Sequence, residues 1–179
     1  LKNGNNILIF KRKKMAKITF KGNPIQTNGD LPEVGSTLKN AHLINQSLEN
    51  KSISDYKGQK IILNIFPSID TGVCAQSVRT FYEKANSLNN TKVINISKDL
   101  PFAFQRFCAA EGLENVESLS DFQNDFQNQY NITLADSPLK GLFSRAVIVA
   151  DENGKVVYTE QVPEIGQEPN YEEALKHLE

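Results

Sequence analysis

Cysteine, histidine, methionine and tryptophan are all scarce in this chain of 179 residues. It contains two cysteines, two histidines, one methionine and no tryptophan. Two cysteines that lie 34 positions apart are too few for a disulfide scaffold, and their spacing is not that of a zinc site. No two of the four cysteine and histidine side chains are close in sequence, so we expect neither a metal nor a bound cofactor.

Long hydrophobic runs are also missing. No apolar stretch approaches the length that a membrane span requires. The run Ile7-Leu8-Ile9-Phe10 is too short for the core of a signal peptide, and no small-residue cleavage site follows it. We therefore expect a cytoplasmic protein with no membrane partner.

The chain as a whole has almost no net charge, but its first 14 residues are strongly basic. The formal net charge is −1, yet residues 1–14 carry five basic side chains and no acidic one. The remainder has 15 basic and 21 acidic residues, which does not favour binding to nucleic acid. A basic head could bind nucleic acid or membranes, but Lys11-Arg12-Lys13-Lys14-Met15 also corresponds to a translated purine-rich ribosome-binding sequence. We predict that 1–14 is a disordered or non-native extension and that 15–179 forms one domain.

The first cysteine, Cys74, stands where a predicted strand meets a predicted helix. The apolar run 61–66 precedes it. The residues that share one face of the following helix are Cys74, Val78, Phe81, Tyr82, Ala85 and Leu88. The start of a helix favours a thiolate, the reactive form of cysteine. A lone cysteine is otherwise a small buried apolar residue, but its position beside Thr71 and Gly72 favours a functional thiol.

The order of the predicted elements indicates an α/β fold. A hairpin around Gly22-Asn23 comes first, and a loop-rich stretch follows from Asn28 to Gly58. The predicted strands are 60–66, 92–96, 116–119, 143–150 and 155–162, and the predicted helices are 72–88, 101–111, 121–130 and 170–178. Asp99 is the predicted N-cap of the second helix. Crossover connections require parallel strands, whereas the turn Asp151-Glu152-Asn153-Gly154 requires an antiparallel pair. A central mixed β-sheet flanked by helices, with an N-terminal β-hairpin, is a thioredoxin-like arrangement.

Several segments together resemble one enzyme family. Pro67, Thr71 and Cys74 match the Pro-x-x-x-Thr-x-x-Cys signature of the peroxiredoxins, and the string from Ser68 to Cys74 resembles their bacterial thiol-peroxidase class, whose members are atypical 2-Cys enzymes. The other matching segments are 99–103, 106–113, 115–116, 138–142, 145–147 and 151–153. The resemblance covers Met15 to Leu178. It implies a thioredoxin-like fold and a thiol-dependent peroxidase for hydrogen peroxide and organic hydroperoxides, active in antioxidant defence.

The resemblance also implies roles for four residues around the peroxide. Cys74 is the peroxidatic nucleophile, and Thr71 places its hydroxyl near both the sulfur and the peroxide; Thr71 could equally be an ordinary helix N-cap. Pro67 shields the thiolate from water, although a proline here could merely end a strand. Arg145 lies against Cys74 and stabilises the thiolate, the alternative being a surface ion pair. Arg79 and Arg106 are less clearly placed.

Cys108 matches the resolving cysteine of the thiol-peroxidase class. That match implies an intrachain disulfide with Cys74, reduced by thioredoxin, in a homodimeric enzyme. Its helical neighbours Phe104 and Phe107 also fit a buried core cysteine. If Cys108 is packed in the reduced state, the two sulfurs cannot bridge without backbone movement.

Three other functions are compatible with a single reactive cysteine. A cysteine hydrolase needs a histidine near Cys74, and His42 is the only internal candidate. A disulfide oxidoreductase normally carries Cys-x-x-Cys, but Ser77 stands three residues after Cys74. A binding module would not need Thr71, Cys74 and Arg145 together. For the substrate, the apolar residues Phe66, Ile69, Leu142 and Phe143 predict an apolar mouth suited to organic hydroperoxides.

Overall fold

A seven-stranded mixed sheet forms the centre of the protein in a computed structural model that describes residues 16–85 and 87–178. The strand order is β4-β3-β7-β6-β5-β8-β9. These strands are β3 (His42–Asn45), β4 (Asn50–Ser52), β5 (Lys60–Ile65), β6 (Thr91–Ser97), β7 (Glu117–Ser120), β8 (Ala146–Ala150) and β9 (Val156–Gln161). The predicted extension 1–14 lies outside the described residues, so the domain boundary at Met15 remains a prediction.

The three inner strands β5, β6 and β7 are parallel, and the remaining pairs are antiparallel. Helices α1 (Gly72–Ala85) and α2 (Pro101–Glu111) make the two parallel crossovers. Parallel strands end at the same edge of a sheet, and functional residues of such sheets collect there. The loops that follow β5, β6 and β7 therefore meet at one edge.

Alternating residues of β5 pack on the two faces of the sheet, as the period of a strand requires. Ile61, Leu63 and Ile65 belong to the cluster on one face, with α3 (Asp125–Gln129). Ile62 packs on the other face with Phe81 of α1 and with the last helix, α4 (Tyr171–Lys176). Both faces of the sheet are thus covered, and the thioredoxin-like prediction is confirmed.

The predicted N-terminal hairpin forms a separate two-stranded sheet from β1 (Lys17–Phe20) and β2 (Asn23–Gln26). Its turn residues Lys21 and Gly22 have φ values of 51° and 77°, as a tight two-residue hairpin turn demands. Strand β1 also bonds to the segment after β9: Thr19 N donates to Pro163 O at 2.7 Å, and Ile165 N donates to Thr19 O at 2.9 Å.

Three predictions about local structure were wrong. The stretch 28–58 holds β3, β4 and a 3-10 turn at Ile53–Tyr56, because pairing with β7 stabilises strands too short to stand out in the sequence. The third helix begins at Asp125 and not at Asp121. The N-cap of α2 is Leu100 with no side-chain cap bond, since the Asp99 carboxylate binds other donors.

The predicted range 101–111 of the second helix is confirmed, and the last helix begins within one residue of its predicted start at 170. Helix α2 ends at Gly112, whose φ of 63° is left-handed, and the Asn170 side chain accepts from Glu173 N at the start of α4. Within the ranges 16–85 and 87–178, no helix combines the length and apolar character needed to span a bilayer.

Candidate active site

Cys74 is the third residue of α1 and lies at the carboxyl edge of the parallel strands. Thr71 O accepts the first helical hydrogen bond, from Ala75 N at 2.9 Å, so Thr71 occupies the N-cap position. The thiol is free and has an exposed fraction of 0%. Unpaired backbone N–H groups in the first turn of a helix stabilise a negative charge there, so this position suits a thiolate.

Arg145 makes direct contact with the cysteine from the start of β8. Its Nη2 donates to Cys74 Sγ at 3.3 Å, and its Nε donates to Ile165 O at 2.8 Å. The side chain is 2% exposed, and no carboxylate of the described residues forms an ion pair with it. A buried cation needs a compensating anion, and a Cys74 thiolate would supply one.

One nitrogen of this guanidinium has no partner. Nη1 of Arg145 is buried and makes no hydrogen bond within the protein. Buried donors are almost always paired, so an unpaired one at a reactive thiol is a site for a ligand oxygen. The arginine can therefore hold the sulfur and an oxygen atom at the same time.

Pro67 and Thr71 line a cavity of about 300 Å³ beside Arg145. Pro67 is buried. The Thr71 hydroxyl donates to Ser68 O at 3.1 Å, which leaves its own oxygen free to accept from a substrate. The structure thus brings Pro67, Thr71, Cys74 and Arg145 to one place, as the sequence resemblance implied.

The apolar wall of this cavity differs from the one predicted. Leu142 lines it, but Phe66, Ile69 and Phe143 are buried in the core and do not. The apolar residues that do line it are Phe20, Val73, Leu139, Leu142 and Ile165. The mouth is apolar as expected, because side chains from the N-terminal hairpin and two later loops replace three that the sheet buries.

Cys108 is 9% exposed and belongs to the same apolar cluster as Cys74. Burial raises the pKa of the Cys108 thiol above its ordinary value, while a hydrogen bond with Ser118 acts in the opposite direction. Both cysteines are free. Cys108 is therefore held as a neutral thiol in this conformation, in the apolar cluster that also contains Phe104.

Two ion pairs tie α2 to α1 and to the loop before it. Arg79 of α1 makes two bonds of 2.7 Å to the Glu111 carboxylate of α2. Arg106 of α2 bonds to Asp70 at 2.6 Å, with both side chains more than half exposed. Arg79 thus bonds between the two helices and Arg106 bonds to the loop before α1, and both stand outside the contact between Arg145 and Cys74.

The residues that a different cysteine chemistry would need are used elsewhere. The His42 ring bonds to Ser52 Oγ of the neighbouring strand β4 at 2.8 Å. Ser77 is buried, and its Oγ donates to the backbone carbonyl of Cys74 at 2.8 Å. Among the described residues, no cluster of three histidine, cysteine or carboxylate side chains could hold a metal ion.

Sequence reasoning missed a buried polar chain beneath Cys74. Asn64 Nδ2 of β5 donates to Ser77 Oγ at 3.1 Å and to Asn95 Oδ1 of β6 at 2.9 Å. Asn64 and Asn95 are each 1% exposed. An asparagine inside an apolar strand must find partners when buried, and that was the signal available in Ile61–Ile65 and Thr91–Ser97.

Glu164 supports the arginine from the segment that carries Ile165 O. Its carboxylate accepts from Thr19 Oγ1 at 2.7 Å and from the backbone N–H groups of Lys21, Gly22 and Gly166 at 3.1 Å. The bond from Thr19, followed by those from Gly22 and Gly166, lowers the pKa of Glu164 to about 2. Glu164 thereby holds the N-terminal hairpin against the segment whose Ile165 carbonyl accepts from Arg145.

We expect Glu164→Gln to remove an acid-sensitive part of the stability. Because folding lowers the pKa of Glu164 from 4.5 to about 2, its contribution is present above pH 4.5 and is lost as the pH falls toward 2. Thermal melts should separate wild type from Glu164→Gln at pH 7 and bring the two together only near pH 2. Glu152→Gln, in the turn between β8 and β9, is the matched control. A difference that does not change with pH would contradict this account.

Comparison with known proteins agrees with the fold and with the resemblance seen in the sequence. The redoxin family model matches residues 33–175. The thiol peroxidase of Corynebacterium glutamicum is 56% identical over 164 residues, which are 92% of this chain and 99% of that protein. The thiol peroxidase of Mycobacterium tuberculosis is 52% identical with the same coverage.

A solved structure gives the same result. The crystal structure of a peroxiredoxin-like protein from Aquifex aeolicus superposes with a TM-score of 0.86 at 34% sequence identity, and the match covers 92% of this chain and 96% of that one. The resemblance to thiol peroxidases that the motifs indicated is confirmed. The chain belongs to the redoxin family.

Proposed function

We propose that this protein is a thiol peroxidase that reduces hydrogen peroxide and organic hydroperoxides through Cys74. The observation that carries the proposal is the bond of 3.3 Å from Arg145 Nη2 to Cys74 Sγ at the start of α1. A thiolate, a guanidinium with a free nitrogen and an apolar cavity are together what peroxide reduction requires. The identity to two thiol peroxidases supports the same conclusion.

In the first step the Cys74 thiolate attacks one oxygen of the peroxide. An S–O bond forms, the O–O bond breaks, and the departing oxygen leaves as water or an alcohol after it gains a proton. Arg145 Nη1, which has no partner in the protein, donates to the oxygen on which charge develops. The Thr71 oxygen accepts a hydrogen bond from the peroxide, and buried Pro67 keeps water away from the sulfur. The product on the enzyme is a Cys74 sulfenic acid.

In the second step Cys108 resolves the sulfenic acid. Its sulfur forms the disulfide with Cys74, and the sulfenic oxygen leaves as water. Since burial raises the pKa of Cys108, this step needs a local opening that exposes the thiol. The opening breaks the pair between Arg79 and Glu111, which lies three residues beyond Cys108.

In the third step a dithiol reduces the exposed disulfide, and we propose thioredoxin as that reductant. A cycle that depends on thioredoxin fits a cytoplasmic location. We also propose a homodimer. Leu100 and Phe102 are 52% and 59% exposed at the start of α2, and apolar side chains left in solvent suit a protein interface.

A single assay tests the proposal. Purified protein is mixed with hydrogen peroxide or an organic hydroperoxide, with and without thioredoxin and its reductase. We expect one equivalent of peroxide to be consumed without reductant and continuous consumption with it. No consumption in either case would refute the proposed activity. Single consumption that thioredoxin cannot renew would refute only the proposed reductant.

Arg145→Lys should slow the reaction of the reduced enzyme with peroxide by about 10²- to 10³-fold, the usual effect of losing a donor to developing charge. The planar guanidinium of arginine can donate to Ile165 O, to the sulfur and to a peroxide oxygen at the same time. The ammonium of lysine is one compact charge and cannot reach all three acceptors. Stopped-flow mixing with peroxide measures the rate constant. Arg106→Lys, in an exposed ion pair, is the control and should stay within about twofold. Equal rates for Arg145→Lys and wild type would contradict the assigned role.

A further inference from the structure

We propose that Asp99 is a positioning residue for peroxide reduction. Its carboxylate fixes the loop 68–71, and through that loop it sets the direction of the Thr71 hydroxyl. The inference rests on the proposed function, since it concerns the geometry of the same reaction. It assigns a role to a residue that touches neither the sulfur nor the cavity.

Three donors converge on the Asp99 carboxylate. Ser68 Oγ donates to Oδ1 at 2.7 Å, Ile69 N donates to Oδ2 at 2.7 Å, and Ser97 Oγ donates to Oδ2 at 2.5 Å. No basic side chain of the described residues forms an ion pair with Asp99. Hydrogen bonds to a charged acceptor are about twice as strong as neutral ones, so these bonds hold the loop firmly.

The loop passes this constraint on to Thr71 through one carbonyl. Ser68 O accepts both from Thr71 N at 3.2 Å and from Thr71 Oγ1 at 3.1 Å. Thr71 O then accepts the first hydrogen bond of α1. Fixing Ser68 therefore fixes the hydroxyl of Thr71, while the start of α1 keeps its own hydrogen bond from Ala75 N.

The position of Asp99 in the fold explains why it can do this. It follows β6, and Ser120 Oγ at the end of β7 donates to its backbone carbonyl at 2.5 Å. The loop 68–71 follows β5. Asp99 thus joins the ends of the three parallel strands to the loop that carries Thr71.

A merely structural carboxylate would have different consequences. It would stabilise the whole fold and affect every reaction of Cys74 alike. A residue that acts through Thr71 affects only the reaction that uses the Thr71 hydroxyl. Alkylation of Cys74 by iodoacetamide needs the thiolate but not that hydroxyl, so the two reactions distinguish the two roles.

The test is a double-mutant cycle with Asp99→Ala and Thr71→Val in the otherwise unchanged chain. We expect Asp99→Ala to slow the stopped-flow reaction with hydrogen peroxide by about tenfold to a hundredfold, because small misplacements at a reacting centre have effects of this size. In the Thr71→Val background, Asp99→Ala should slow the same reaction by less than about threefold, since the effects of two residues that act as one unit do not add. Alkylation of Cys74 should stay within about twofold of wild type.

Two further variants keep the test decisive. Ser68→Ala removes one bond to Asp99 and keeps the one from Ile69 N, so it should give a smaller loss in the same direction; if Asp99→Ala does not fold, the cycle with Ser68→Ala decides. Asp125→Asn is the matched control, because Asp125 accepts from a backbone N–H, that of His42, at 2.6 Å in another part of the sheet. It should leave the rate unchanged.

The possible results distinguish failure of the Asp99 role from failure of the proposed peroxidase function. Independent effects of Asp99→Ala and Thr71→Val, or parallel losses of peroxide reaction and alkylation, would overturn the positioning role while wild type remained a peroxidase. A wild type that does not react with peroxide would overturn the proposed function and this inference together.

Discussion

Cys74→Ser is expected to abolish peroxide consumption, with a loss of at least about a thousandfold, as for the removal of other enzyme nucleophiles. The hydroxyl of serine is not ionised at neutral pH, so the variant has no anion to attack the O–O bond. It also leaves the buried guanidinium of Arg145 without the sulfur that Nη2 now contacts. The assay is peroxide consumption in the presence of thioredoxin and its reductase.

Circular dichroism and a melting curve should accompany this measurement. The Cys74 side chain is 0% exposed, so its replacement changes the packing of the core and can lower the stability of the fold. A folded variant without activity identifies Cys74 as the nucleophile. A folded variant that keeps more than a few per cent of the wild-type rate would instead point to another nucleophile. Cys108, the only other cysteine, would then be the first to test.

Cys108→Ser is expected to spare the first turnover and stop the cycle. The contact between Arg145 and Cys74 is unchanged, so one equivalent of peroxide should still react at close to the wild-type rate. Without a partner thiol the Cys74 sulfenic acid persists, and excess peroxide converts it to the sulfinic acid. Mass spectrometry of the oxidised chain should show this product, and turnover with thioredoxin should fall sharply.

Oxidised wild type is the comparison for this variant. It should contain a bridge between Cys74 and Cys108 of the same chain, which closes a loop of about 35 residues at modest entropic cost. A bridge between two chains, or undiminished turnover of Cys108→Ser with thioredoxin, would remove Cys108 from the mechanism. Cys108→Ala, which places no new hydroxyl in the apolar cluster around Phe104, should behave as Cys108→Ser does.

The elements nearest Cys74 could be predicted because local patterns specify them. A few consecutive residues are enough to specify each of three features: the apolar run of β5, the amphipathic face of α1 and the end of α2 at Gly112. The contact between Cys74 and Arg145 is different, because the two are 71 positions apart. It followed from the family resemblance and not from any spacing.

The supporting residues could not be predicted, because their partners come from distant segments. Asp99 has the local sequence of an N-cap, and only the neighbouring loop shows that its carboxylate is occupied by Ser68 and Ile69. Strand β3 has four residues and depends on pairing with both β4 and β7. In both cases tertiary contacts override a weak local preference.

The N-terminal hairpin is a part of this protein that can be engineered separately from the central sheet. Phe20 forms part of the wall of the cavity beside Arg145, and Thr19 bonds to the segment whose Ile165 carbonyl accepts from Arg145. Because the hairpin is a separate sheet, it can be varied without rebuilding the central one. A library restricted to residues 19–26 would therefore sample cavity shape and guanidinium placement together, and selection on bulky hydroperoxides could change substrate preference while every residue in contact with the sulfur stayed in place.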